Sequence, residues 1–559
     1  MGRGRAGVRG ADGHRWPRRA EGRSRARTAG ARGRRGAPRP RARGVAEPSP
    51  GRRGRGDRRG PRGVGPVSRV VMFVFNDCRT DSRVLREAGS LAAAGHDVTI
   101  IARPTDPAST VGEREERDGF TIVRVPIPPG HRLFRLWLRY PWRITNWAIP
   151  RARRGVRTMP GGLLDIGVAG LAVLASVPLS VVRGPFYLLA RYRNRTRASA
   201  ATAAIATAED IEAPRPRPVP GPGRARRPSP FEWLVRWRWV ITAWARAVAA
   251  AAGPADVYHG HDLTGLAAAV AAADRHPSAR VVYDSHEIYL ESGANADQPA
   301  WLRRLMARLE RRWVARAAAL VTVNESLAEE LGRRYAPART VVVHNCPPRS
   351  EAPTDGSDLI RAATGIPADE PIALYHGAFS RHRGLEQLAA AVAEPGLERV
   401  HAVFLGYGGL RAELDTLAAG PVAPSRIHVL AAVPPDELGA WVASADVGVM
   451  AIQPSTINHR MSTPNKLFEC LAAGVPVVAS DFPEMRRIVC DDPGGALGVV
   501  APPDDVSALA GAILSIVGAP PAERAELRVR CLRAAHERWN WESESARLVD
   551  LYAGIAGQP

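Results

Sequence analysis

Residues 67–102, VSRVVMFVFNDCRTDSRVLREAGSLAAAGHDVTIIA, decide the fold. VSRVVMFVF is short and almost continuously apolar, as a strand buried on both faces requires. After it, Val84, Leu85, Ala88, Leu91 and Ala92 recur at helical spacing, Gly95 stops the helix, and DVTIIA is the next buried strand. This is a βαβ unit, which opens a parallel sheet. The alternation returns at 255–273, 279–287, 318–335 and 340–345, then at PIALYHG (371–377), VHAVFLGYG, RIHVLAAV, ADVGVMAI and GVPVVAS. The pattern predicts an α/β chain of two tandem doubly wound, Rossmann-like domains. Their expected limits are 67–345 and 366–537, with a linker at 346–365 and a C-terminal amphipathic helix at 538–559.

The net charge of +23 is concentrated at one end of the chain. Residues 1–66 hold 21 Arg against Asp12, Glu21, Glu47 and Asp57, leaving only +6 for the rest, so the folded part is not a basic nucleic-acid binder in bulk. The segment has too few apolar residues to offset the entropy of ordering and reads as a disordered extension, or as sequence preceding a translation start near Val64 or Val67. It lacks the apolar stretch of a secretory signal. Five separated cysteines form neither a disulfide framework nor a zinc motif, which fits a reducing compartment.

Residues 127–250 interrupt the first domain and differ from it in composition. Seven of 13 tryptophans lie there (Trp137, Trp142, Trp147, Trp233, Trp237, Trp239, Trp244), interleaved with arginines, beside an uncharged run at 166–182 and a Pro-rich tether at 215–230. A single membrane crossing would put strands of one sheet on opposite sides of the bilayer. A shallow or re-entrant helical insertion at a membrane surface is therefore expected, with an extra apolar subdomain as the alternative.

STPNKLFECLAAGVPVVAS (462–480) carries the chemistry. Ser462 or Thr463 is placed to cap a helix, Pro464 suits its first position, and Gly474 and Pro476 end it before a strand. The free N–H groups and positive dipole end of such a helix favour an anion, and Lys466 adds a full charge. Lys466 is the single lysine of the chain. Glu469, three residues on, shares its face and can accept from the vicinal hydroxyls of a ribose. The alternative is a solvated i,i+3 ion pair.

With these stretches, DSRVLREAGSLAAAGHDVT, DVYHGHDLTGL, VVYDSHE, YHGAFSRHRGLEQL, FLGYGGLRAEL and PNKLFECLAAGVPVVASDFPE, the chain resembles the retaining GT-B glycosyltransferases of the large family 4 type that build bacterial envelopes. The resemblance implies a nucleoside-diphosphate-sugar donor held mostly by the second domain. It places Glu469 as the second acid of an E-x7-E pattern whose first acid is replaced by Met461, with Asn458 or Asn465 as substitutes. In GAFSRHRG, after Gly377, Arg383 takes the position of a diphosphate-binding lysine, helped by Arg381. His261 matches the histidine that faces the donor sugar, and Asp262 is expected to cap the next helix. His286 and Glu287 fall on the acceptor side, and Glu484 beside the nucleotide. No D-x-D is present, so neither a metal nor a further cofactor is implied. The acceptor implied is lipid-linked or an envelope saccharide, and the expected location is cytoplasmic, peripheral on the inner face of the cell membrane, without a specific nucleic-acid partner. A sugar-nucleotide epimerase of the same architecture and a noncatalytic membrane or nucleic-acid scaffold are the alternatives.

Overall fold

The computed structural model of the chain describes residues 68–106, 109, 111–128, 233, 236–349, 358–421, 423 and 425–556. The extension expected over 1–66, Trp137, Trp142, Trp147, the apolar run at 166–182 and the tether at 215–230 lie outside them.

Two sheets form, each with the strand order of a doubly wound domain. The first has eight strands, β1 (Arg69–Phe73), β2 (Asp97–Ala102), β3 (Glu113–Arg117), β4 (Phe120–Arg124), β5 (Val257–His261), β6 (Arg280–Ser285), β7 (Ala319–Thr322) and β8 (Thr340–Val342). Their order is β3-β4-β2-β1-β5-β6-β7-β8, parallel except for the β3–β4 hairpin at one edge. The second is wholly parallel, β11-β10-β9-β12-β13-β14, from β9 (Ile372–Ala378), β10 (His401–Tyr407), β11 (Ile427–Ala431), β12 (Val447–Met450), β13 (Val477–Ser480) and β14 (Gly498–Ala501). Strand order reverses between β1 and β5 and again between β9 and β12, and the crevices at such reversals are where open α/β sheets take ligands.

The period of two along each strand divides the side chains between two cores. Val71 and Phe73 point to one side of the first sheet, Val70 and Met72 to the other. Ile372 and Leu374 separate in the same way from Ala373 and Tyr375. Each large apolar side chain so buried contributes roughly 1.5–3 kcal/mol, and for that reason the continuously apolar runs were readable as strands. The helix Ser82–Ala93 begins where Asp81 accepts from the Val84 N–H and ends at Gly95, whose φ is +93°.

Three tryptophans at the end of the insertion pack inward rather than toward a membrane. Trp233, Trp237 and Trp244 are buried in the first domain's core, Trp244 edge-on to Phe75 and donating to the Val125 carbonyl at 3.3 Å. Helix Thr242–Ala251 buries Val248 and Ala249 in the same core, so this stretch is an element of the domain. Among the described residues no single helix is long and apolar enough to cross a membrane.

The C-terminal helix Trp541–Ala556 returns to the first domain. Trp541 donates its indole N–H to Ser90 Oγ at 2.9 Å, and Leu548, Leu551 and Tyr552 are buried against the first sheet. Burial holds the Tyr552 phenol protonated and His259 neutral, and the hydroxyl and His259 Nδ1 share a hydrogen bond of 2.7 Å. Tyr552→Phe leaves that nitrogen buried without a partner and is expected to cost about 1–2 kcal/mol, read as a lower denaturant midpoint; an unchanged midpoint would show the bond to be neutral.

Candidate active site

The second domain supplies a cationic corner. Helix Asn465–Ala472 starts after Pro464, with no side-chain cap. The expected caps are engaged elsewhere: Thr463 Oγ1 accepts from Asn324 and Ser462 Oγ donates to the His459 carbonyl. The Leu467 N–H turns back to the Pro464 carbonyl at 2.9 Å, which leaves the Asn465 and Lys466 N–H groups to a ligand. Lys466 turns inward, its Nζ 3.5 Å from the centre of the Tyr375 ring and beside Gly377. Gly377 sits at φ +112°, and a Cβ there would lie 3.5 Å from Nζ, so glycine both permits the backbone and leaves the ammonium uncovered. Burial and the Arg383 guanidinium push the Lys466 pKa down to about 7, against the opposing pull of Glu469.

Arg383 is carried by the loop that leaves β9. That loop closes through Gly384 at φ +84°, where a Cβ would meet the Ala451 carbonyl at 2.3 Å. Neither Arg383 nor Lys466 makes a salt bridge among the described residues. Arg381 is exposed. Glu469 is 31% exposed and bonded to His376 Nε2 at 2.9 Å. His376, at the end of β9, was not singled out in the sequence, although the motif YHG contained it. Asn465, the first residue of the helix, accepts from Asn345 of the first domain at 2.9 Å.

The first domain supplies a histidine–carboxylate cluster at the ends of β5 and β6. Asp284 accepts two bonds from Arg83, both at 2.9 Å, and lies 3.2 Å from His261 Nδ1 and 3.0 Å from His286 Nε2. Against the penalty of burial, Arg83 and His286 hold the Asp284 carboxyl well below its usual range. A carboxylate only accepts, so His261 carries its proton on Nδ1 and its Nε2 is an acceptor, buried without a hydrogen bond. His261, expected to face the donor sugar, is instead 0% exposed, and His286 next to it is the accessible imidazole. Burial disfavours the His286 cation, but Asp262 and Asp284 outweigh it and raise the pKa to about 10. Glu287, raised by burial, lies within the field of Arg383 from the other domain.

Three further expectations are corrected here. Asp262 does not cap its helix: its φ is +54°, no side-chain bond closes the first turn, and its carboxylate turns toward His286. Asn458 is no free sugar ligand, because its amide accepts from the Ile288 N–H and donates to the Ile288 carbonyl, latching one domain to the other. Glu484 is fully buried, accepting from the backbone and hydroxyl of Ser326, so it closes the first turn of helix Glu325–Tyr335 across the domain boundary. Met461, where the first acid was missing, packs against the first domain's core.

Among the described residues two groups of His and acidic side chains come within ligand distance of one another, Glu87–His259–His261–Asp284 and Glu325–His344–Glu484. Both already contain a protein cation. Arg83 lies 3.0 Å from Glu87 and clasps Asp284. In the other, burial disfavours the His344 imidazolium, but Glu325 and Glu544 outweigh this and raise its pKa to about 9.

The comparisons with known proteins agree with this layout. Residues 80–182 and 187–346 match the glycosyl transferase 4-like domain, and residues 370–518 match the glycosyl transferases group 1 family. The D-inositol 3-phosphate glycosyltransferase of Xylanimonas cellulosilytica is 31% identical over 257 residues, covering 44% of this chain and 58% of that protein. The phosphatidyl-myo-inositol mannosyltransferase of Mycolicibacterium smegmatis is 34% identical over 94 residues, 16% of this chain and 22% of its own. Matches to the first three curated relatives thus span 57–62% of their lengths. Among solved structures, sucrose-phosphate synthase of Thermosynechococcus elongatus has a TM-score of 0.55 at 18% identity, over 87% of this chain and 98% of that one. The apo structure of OtsA has a TM-score of 0.55 at 12% identity, over 87% and 99%. At such identities they show the shared fold alone.

Proposed function

We infer, from the premise that this chain belongs to the glycosyltransferases and joins a 4-like domain to a group 1 domain, that it transfers a sugar from a nucleoside diphosphate to an acceptor hydroxyl with retention of configuration. One observation carries this reading. Lys466, on the first turn of an uncapped helix and beside Gly377, lies in the field of the Arg383 guanidinium, and neither cation is in a salt bridge among the described residues.

The bond between the anomeric carbon and the diphosphate breaks, and its electron pair leaves on a phosphate oxygen stabilised by Lys466, Arg383 and the backbone N–H groups of Asn465 and Lys466. The acceptor oxygen bonds to the anomeric carbon from the same face, and its proton passes to the departing phosphate oxygen. Glu469, released from His376, accepts from the ribose hydroxyls. Lys466 and Arg383 take the part that a metal plays elsewhere. His261, enclosed behind Asp284, positions His286 rather than meeting the sugar, while His286 and Glu287 face the acceptor.

The acceptor we propose is a lipid-linked or envelope saccharide, and the place the cytoplasmic face of the cell membrane. Relatives named for inositol phosphate and phosphatidyl-inositol support a polar, phosphate-bearing acceptor class. The test is incubation with UDP-, GDP- and dTDP-sugars, with and without a lipid extract. Acceptor-dependent release of nucleoside diphosphate, with the α-anomeric signal of an α-donor retained in the product, is expected. Interconversion of the free donor without release would point to an epimerase instead.

A further inference from the structure

We propose that the helix Ala300–Val314 of the first domain docks on an anionic lipid surface through its outer face. Large apolar side chains are rarely exposed here, yet Trp301 is 52% and Leu305 38% exposed, one turn apart on this helix. Positions 301, 305, 308 and 312 follow the i, i+4, i+7, i+11 spacing of a single stripe, and 304 flanks it. The stripe therefore presents a Trp and a Leu beside the exposed Arg304, Arg308 and Arg312.

The charge on this face is unopposed. The only acid of the helix, Glu310, is buried and bonded to the hydroxyls of Tyr283 and Tyr335. Neighbouring arginines are engaged: Arg303 with Glu291, Arg311 with the Arg334 carbonyl and Arg316 with Asp274. Among the described residues Arg304, Arg308 and Arg312 have no ion-pair partner. An apolar pair with cations around it suits the boundary between headgroups and acyl chains, where an indole and arginine stems are both accommodated. A single-stranded nucleic acid would use the cations and the ring but gain nothing from Leu305.

The position also fits the work proposed for the cleft. The chain leaves the C-terminal end of β6 at His286 and enters this helix at Ala300, so Trp301 stands at the end of the helix nearest the acceptor side. Docking by this face brings that side to the lipid. This rests on the reading of the chain as acting at a membrane surface, and its test does not depend on turnover.

Of the five cysteines, Cys490 is the one not buried, so Trp301→Cys with Cys490→Ser accepts a polarity-sensitive fluorophore at one place on the full chain. With vesicles of phosphatidylglycerol and phosphatidylcholine, the emission should shift to the blue and be quenched by brominated acyl chains; phosphatidylcholine alone should do neither. Arg304→Glu with Arg308→Glu and Arg312→Glu should weaken vesicle binding at least ~tenfold. A chain that sediments with anionic vesicles while the fluorophore stays in water overturns this face and leaves the membrane reading standing. A chain that sediments with neither vesicle overturns both. A response to oligoribonucleotide but not to vesicles reassigns the face to nucleic acid.

Discussion

Lys466→Ala is expected to lower kcat by about a hundredfold or more, the usual effect of removing one preorganised group from a developing anion. The fold should survive, since the ammonium makes no salt bridge among the described residues and stacks on Tyr375 rather than holding two elements together. Lys466→Arg should not rescue it. A guanidinium is larger and planar, and Gly377 leaves room sized for an ammonium. Steady-state kinetics with saturating acceptor, beside a far-ultraviolet circular dichroism spectrum, separates lost chemistry from lost fold. Near-normal turnover in a folded variant would remove Lys466 from the leaving-group site.

Asp284→Asn should act on stability first. Asp284 neutralises Arg83, which is buried beside it, and accepts from His261 and His286. Removing Asp284 leaves the buried Arg83 with Glu87 alone, and breaking such a buried pair typically costs about 3–5 kcal/mol. The pH dependence should change with it. The Asp284 carboxyl is depressed in the folded chain, so its stabilisation is present above the ordinary carboxylate pKa and fades as pH falls through the folded value. His286 is raised to about 10, so its stabilisation is full below the ordinary imidazole pKa and is lost as pH rises through about 10. In the variant the His286 titration should move down from there, leaving Asp262 as its acidic neighbour. Denaturant melts at several pH values, with the imidazole signals followed by nuclear magnetic resonance, test both parts. A variant of unchanged stability whose His286 still titrates near 10 would show that Asp284 organises neither histidine.

The elements were legible because each is a local pattern. Continuous apolar runs marked buried strands, helical spacing marked the crossovers, and Gly95 and Gly474 marked ends. The cationic corner was legible for the same reason, since Gly377, Arg383, Lys466 and Glu469 each belong to a short motif. What the sequence did not reveal depends on contacts between distant segments. Asn458 looked like a sugar ligand until Ile288, from the other domain, took both ends of its amide. Glu484 stood at the end of a strand like a ligand residue, and only the seating of Ser326 against it shows its use. Trp237 and Trp244 have the spacing and arginine neighbours of an interfacial belt, and the first domain's core claims them instead. His376 lay inside a quoted motif, but its value comes from Glu469 on another element. Nothing in the local pattern of the last helix tells that Tyr552 reaches His259.

The most direct test of the leaving-group site is the proton taken up when a nucleoside diphosphate binds. Lys466 sits near pKa 7 in the unliganded chain, and a diphosphate alongside would restore its ammonium. Isothermal titration calorimetry at pH 8, in buffers of different ionisation enthalpy, should show an uptake approaching one proton. Affinity should fall by up to about tenfold for each pH unit above 7, and both effects should vanish in Lys466→Ala. Binding without proton uptake, with the same affinity in wild type and in Lys466→Ala, would contradict the account.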